Sequence, residues 1–232
     1  MNVALRGDDH TVRAALGAAD PAVVPENGDR SVDTVLAVGE SGLRSVAADV
    51  PDTPVLPVVD GGGRHAVDRP ALDDALAAVA DGDHRIGTHP VLGVRRDGTP
   101  VGRLLRDAVL VTATPASISE YGFDGGETTA SVRADGLVVA TPMGSDGYAA
   151  SAGGPTLDTT AGVAVVPVSP FSMTATATVA DPDTGLALSV ERDGDVALFL
   201  DGVRHGSVGV DTDLRIERAG SVSLVSIRTE KF

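Results

Sequence analysis

The chain has 232 residues, 42% of them hydrophobic, a formal net charge of −15 and no cysteine. That length suits one large domain or two small ones, and the missing thiols exclude disulfides and cysteine-ligated metals. The acidic balance leaves no basic patch to neutralise phosphates, which argues against nucleic acid as a partner. No apolar run approaches the roughly 20 residues of a bilayer-spanning helix.

Asp and Glu number 33 against 18 Lys and Arg, and the one lysine is Lys231. Dense carboxylates repel one another in dilute solution, and strong salt screens them, so a halophilic protein is expected. No basic-then-apolar leader follows Met1, and a cytoplasmic location is expected.

MNVALRG opens the chain as a short apolar strand ending at Gly7. DDHTVRAALGAAD has acidic residues at its start and helical spacing through Val12, Ala15 and Leu16. VDTVLAVG is a β-branched strand closed by Gly39, SGLRSVAADV a short helix, and TPVLPVVDGGG a further strand. RPALDDALAAVADG places Leu72, Leu76 and Val79 on one helical face, with Pro70 at its start and Gly82 as its stop. This alternation predicts a parallel sheet covered by helices over residues 1–90. From Val91 the pattern becomes strand after strand with turns between, from PVLGVRRDG to SVSLVSIRTE. A β-rich domain is expected over 91–215.

Ligands of open α/β sheets bind at the carboxyl ends of strands. VLAVG followed by Glu40, Ser41 and Gly42 is such an end, where glycine admits phosphate and Glu40 can accept a proton or hold Mg²⁺. An ordinary strand-to-helix turn explains the same residues, with Glu40 favoured by the helix dipole. The run ATPMGSDGYAASAGGP, residues 140–155, has the same two readings: a ligand-lining turn with Tyr148 as a stacking ring, or a glycine-rich turn over a buried tyrosine. His10, His65, His84, His89 and His205 lack metal-ligand spacing and are expected on surfaces or loops. No residue stands out as a direct metal ligand.

The order of these pieces resembles the NAD kinase family along nearly the whole chain. VGESG at 38–42, RDAVLV at 106–111, ADGLVVATPMGSDGYAASAGGP at 134–155, VVPVSPFS at 165–172 and LDG at 200–202 fall where that family has GGDGT, Asn-Glu, DGLxxxTPTGSTAYxxSAGGP, a Pro-rich strand end and a late Asp-Gly. The resemblance implies a Rossmann-like α/β domain followed by a β-rich domain, with the last strand (216–232) returning to the first. It implies transfer of phosphate from ATP, or polyphosphate, with Mg²⁺, to the adenosine ribose 2′-hydroxyl of NAD. Homodimers or homotetramers are implied as well. Glu40 stands at the place of the catalytic aspartate, with Gly39, Ser41 and Gly42 as its phosphate loop. Asp107 stands for the ribose-binding acid beside Arg106, Asp135 for the contact to the base or amide, and Tyr148 for the ring in the NAD site. Thr141, Met143, Ser145, Asp146 and Gly147 of the same turn, and Asp201 as the late aspartate, are implied to bind the substrate as well.

The departures fall in the same motifs. Val38, Glu40, Ser41 and Gly42 replace Gly, Asp, Gly and Thr; Arg106 replaces the asparagine; Met143 and Asp146 replace two threonines. Asp146 would repel a pyrophosphate unless Mg²⁺ or Arg106 offsets it. Besides an active, diverged member from a haloarchaeon, this pattern allows an inactive nucleotide-binding regulator or a kinase of another small hydroxyl compound.

Overall fold

The computed structural model describes residues 1–7, 12, 16, 21–113, 118–126, 128–158, 161–192, 195–210 and 212–227. The chain divides into two compact units, Met1–His89 with Ser221–Phe232, and Pro90–Gly220.

The first unit is built on a parallel sheet. Strands β1 (Asn2–Arg6), β2 (Ala22–Val23), β3 (Thr34–Val38), β4 (Val55–Val59) and β5 (Val67–Asp68) take the order β4-β3-β1-β2, with β5 paired to β4. The register runs Val3 opposite Thr34 to Arg6 opposite Ala37, and Val35 opposite Val55 to Val38 opposite Val58. β3 is buried along all five residues, as a parallel strand covered on both faces must be. Helix α1 (Gly39–Ala48) packs Leu43, Val46 and Ala47 inward. Leu72, Ala75 and Leu76 of α2 (Leu72–Ala80) join Leu36, Val38, Leu56 and Val58 in a separate cluster. The expected helix over 8–20 lies outside the described residues except Val12 and Leu16, which are helical and buried in that second cluster. Near the end of the chain, Leu224 pairs in parallel with Val55.

The second unit is antiparallel. It begins in β6 (His84–Arg96), whose residues from Pro90 onward belong to it, followed by β7 (Thr99–Leu104). Next come β8 (Asp107–Thr112), β9 (Ser119–Asp124), β10 (Thr129–Ala134), β11 (Gly136–Ala140) and the one-turn helix α3 (Tyr148–Ser151). The chain continues through β12 (Val163–Val168), β13 (Thr178–Ala180), β14 (Leu186–Arg192), β15 (Val196–Leu200), β16 (Val203–Val208) and β17 (Leu214–Ile227). One sheet has the order β13-β12-β11-β8-β15-β16; β10, β9, β14 and β17 lie side by side in another. Leu110, Leu137, Val139, Val165 and Leu198 of the first meet Tyr121, Phe123, Leu186, Leu188 and Ile216 of the second in one core. The alternate residues Val138, Ala140, Ala164 and Val166 face the other way, under Ala149 and Leu157. β11 therefore reads as an unbroken apolar run because both its faces are covered.

Among the described residues, no helix is long and apolar enough to cross a membrane. His65 lies in a turn, as expected, but His89 is buried within β6, and the two rings meet edge to face, ring centres 4.5 Å apart. His10 lies outside the described residues.

Candidate functional site

Gly39, Glu40, Ser41 and Gly42 belong to the first unit, and the other candidates belong to the second. The strand-to-helix junction is tighter than the sequence suggests. α1 begins at Gly39, so Glu40 and Ser41 form its first turn rather than an open loop. Gly39 has φ +63°, which glycine adopts without cost. Glu40 and Ser41 are exposed, and Gly42 is buried. A Cβ on Gly42 would stand 2.5 Å from the Arg6 carbonyl oxygen and 2.8 Å from the Ala37 carbonyl carbon. Gly42 is thus where the helix closes onto β1 and β3. Glu40 is an acid in a helix first turn, at the carboxyl end of a parallel strand, facing solvent.

Arg69 was not signalled by any motif. A Cβ on Gly39 would meet only one atom within 4 Å, the Arg69 Nη2, at 3.6 Å. The Arg69 Nε sits 2.5 Å from Asp60 Oδ1. A cation therefore borders the start of α1 in a chain that is otherwise strongly acidic.

In the second unit, the run 140–155 turns the hydroxyls of Thr141 and Ser145 inward and leaves Tyr148 and Ser151 exposed. Thr141 is fully buried; its Oγ1 donates to the Leu105 carbonyl at 2.6 Å and its N–H to the Arg106 carbonyl at 2.8 Å. Ser145 is also fully buried, donating to Pro142 O and accepting from the Leu157 N–H. Met143 is buried too. Gly144 lies flat on Arg106: a Cβ there would fall on the Arg106 carbonyl oxygen and stand 2.6 Å from its carbonyl carbon. What the turn presents outward is Asp146 and Tyr148, with Gly147 between them half-buried. The Arg106 guanidinium reaches this point, its Nη2 3.8 Å from where a Gly147 Cβ would be.

Asp201 and Gly202 make a two-residue hairpin between β15 and β16, with φ +44° and +76°, the signature of an Asp-Gly type I′ turn. The Asp201 carboxylate is 3% exposed and accepts the backbone N–H groups of Leu105, Arg106 and Asp107 at 2.8, 2.8 and 3.1 Å. Burial pushes this carboxyl above its ordinary range, while the three N–H donors and Arg106 pull it part of the way back. A carboxyl whose folded value lies above its unfolded one, about 4, stabilises most at low pH and loses that contribution as pH rises through the folded value. Wild type is therefore expected to gain thermal stability relative to Asp201→Asn as pH falls from 7 towards about 4. A Tm difference that does not move with pH would contradict this.

Asp107 is buried at the start of β8, opposite Ala140. Asp135, exposed, precedes Gly136 at the other end of the same strand pair. Five residues of β11 lie between it and Thr141, so the two are six steps apart, roughly 20 Å at about 3.4 Å per residue. The second-unit candidates thus form two clusters: Arg106, Asp107, Asp146, Gly147 and Tyr148 at one end of β11, and Asp135 at the other.

The family profile of the ATP-NAD kinase C-terminal domain matches residues 105–227, more than half of the chain. The chain belongs to the NAD kinase family. An NAD kinase of Rhodopirellula baltica is 32% identical over 218 residues, covering 89% of this chain and 70% of that protein. The fold is shared with yeast NADH kinase, solved with NADH (TM-score 0.75, 15% identity, 99% of this chain and 84% of that one). It is also shared with an NAD kinase from Archaeoglobus fulgidus, solved with ATP (TM-score 0.67, 24% identity, 99% of this chain and 94% of that one).

Against the NAD kinase pattern, the unchanged residues of the long motif turn out to be largely architectural. Thr141, Gly144 and Ser145 close the turn, and Gly154 lets Ala149 and Val166 approach: a Cβ there would stand 2.6 Å from Val166 Cγ2. The altered position Asp146 is exposed.

Proposed function

We propose that this NAD kinase family member transfers the γ-phosphate of ATP to the 2′-hydroxyl of the adenosine ribose of NAD, giving NADP and ADP. The observation that carries the reading is Glu40, an exposed carboxylate at the carboxyl end of β3, at the position of the family's catalytic aspartate. In this reading the Glu40 carboxylate accepts the 2′-hydroxyl proton as that oxygen forms its bond to the γ-phosphorus. The bond from that phosphorus to the oxygen of ADP breaks in line. Such transfers depend on positioning and charge stabilisation more than on covalent chemistry by the protein. The α1 N-terminus and Arg69 supply positive potential next to Glu40. Arg106 and Asp107 address the ribose, Tyr148 offers its ring, and Asp135 takes the far end of the dinucleotide.

Mg²⁺ bound to the ATP phosphates would neutralise the charge that builds on the transferred group. Such an ion keeps several waters and needs only one or two protein carboxylates. We also propose a cytoplasmic, halophilic homo-oligomer. The net charge of −15 supports salt dependence, and the family resemblance supports the assembly.

With γ-labelled ATP, NAD and Mg²⁺, label is expected on the 2′-oxygen of the product. Label confined to inorganic phosphate, or carried on another hydroxyl compound from a substrate panel, would overturn the assignment. Arg69→Gln is expected to raise the KM for ATP about tenfold, the value of one charge-assisted contact, and to leave the KM for NAD unchanged. Equal changes in both would show that Arg69 only supports the fold.

A further inference from the structure

The three residues Leu105, Arg106 and Asp107 carry six backbone polar groups, and two distant side chains with their own backbone satisfy all six. Asp201 accepts from the three N–H groups and donates its own N–H to the Asp107 carbonyl at 2.9 Å. Thr141 donates Oγ1–H to the Leu105 carbonyl and N–H to the Arg106 carbonyl. Both residues are buried, so neither is placed to touch a ligand from solvent. Gly144 seals the arrangement by lying against the Arg106 backbone.

We propose that Asp201 and Thr141 are positioning residues, a two-sided clamp that holds the Leu105–Asp107 backbone so that Arg106 and Asp107 meet the NAD ribose in one fixed geometry. This rests on the kinase reading above and replaces direct substrate contact, implied by the resemblance, for these two residues. The hairpin itself does not demand the charge at 201, because Asn-Gly serves a type I′ turn as well as Asp-Gly. The three donors do require an accepting oxygen on both sides: a carboxyl offers two, whereas Asn offers one and would turn an N–H₂ towards a backbone N–H. Thr141 follows the same logic, since the Leu105 carbonyl is buried and needs a donor. A misplacement of about 1 Å at a substrate-holding residue costs on the order of 10²-fold in rate, so a clamp here has leverage on catalysis without contacting the substrate.

The test uses Asp201→Asn, Thr141→Val and Thr141→Ser in the full chain. Hydrogen exchange of the Leu105, Arg106 and Asp107 amides is expected to quicken in Asp201→Asn. The KM for NAD is expected to rise about tenfold or more in Asp201→Asn and Thr141→Val, with the KM for ATP within about twofold and Thr141→Ser near wild type. In an Arg106→Ala/Asp107→Ala background, adding Asp201→Asn is expected to change the KM for NAD little, because the groups it positions are gone. Unchanged amide exchange, a lowered Tm with both KM values unaltered, or equal rises for NAD and ATP would each overturn the clamp. If wild type makes no NADP, the kinase reading fails, and NAD binding by calorimetry takes the place of KM: a weakened Kd in the variants supports the clamp, and an unchanged Kd overturns it. A wild-type protein that binds no NAD overturns the clamp together with that reading.

Discussion

Glu40→Gln is expected to reduce the rate of NADP formation by about 10³-fold and to leave the fold as it is. A positioned general base contributes roughly 10²–10⁴-fold, and the amide keeps the size of the side chain while removing its basicity. Glu40 is exposed, in the first turn of α1, and its removal opens no cavity. Surface changes of this kind usually alter stability by about 0.5 kcal/mol or less. The change is therefore expected in kcat, with the KM for ATP and NAD close to wild type and an unaltered circular dichroism spectrum. Glu40→Asp, which restores the family's residue, is expected to retain activity. A Glu40→Gln protein as fast as wild type would show that the proton leaves by another route.

Gly42→Thr is expected to destabilise the first unit by about 3 kcal/mol or more, although it restores the threonine of the family motif. Overpacking typically costs 1–3 kcal/mol when side chains can give way. Here the colliding atoms are backbone, the Arg6 carbonyl oxygen and the Ala37 carbonyl carbon, which cannot give way without pulling β1 and β3 apart. Gly7 reinforces the point, because its own Cβ position falls on the Val38 carbonyl and 3.1 Å from Gly42 N. α1 starts at Gly39 and seats directly on the strand ends, so the motif has become a tight packing junction with one outward acid. Thermal unfolding of Gly42→Thr beside Glu40→Gln separates the two roles: the first is expected to lose stability, the second activity. An unchanged Tm for Gly42→Thr would contradict the close approach.

The fold class was legible in the sequence because each unit obeys one period. VDTVLAVG and TPVLPVVD read as buried parallel strands, and their partners in space are strands of the same kind. DGLVVA reads as a strand and is one, from Gly136 to Ala140. The inward side of the site was not legible. Thr141, Ser145 and Asp201 look like ligand contacts in the chain, but their partners lie 36, 12 and 94 to 96 residues away. No local pattern encodes which way a hydroxyl turns. Arg69 is hidden for the same reason: its proximity to Gly39 exists only once β4 and β5 pair beside β3. The His65–His89 contact likewise depends on tertiary packing rather than on spacing. The outward Glu40 and Asp146 were legible, since a charge in a glycine-rich turn has little reason to be buried; Tyr148 was not, because a buried tyrosine fitted the same run and the ring is in fact exposed.

The most direct test is the rate of NADP formation from NAD, ATP and Mg²⁺ by purified protein across a KCl series reaching multimolar salt, with Glu40→Gln in parallel. Turnover that rises with salt as the protein becomes stable, and that Glu40→Gln removes, is the predicted result. A wild-type protein folded in strong salt that forms no NADP, or one whose turnover survives Glu40→Gln, would contradict it.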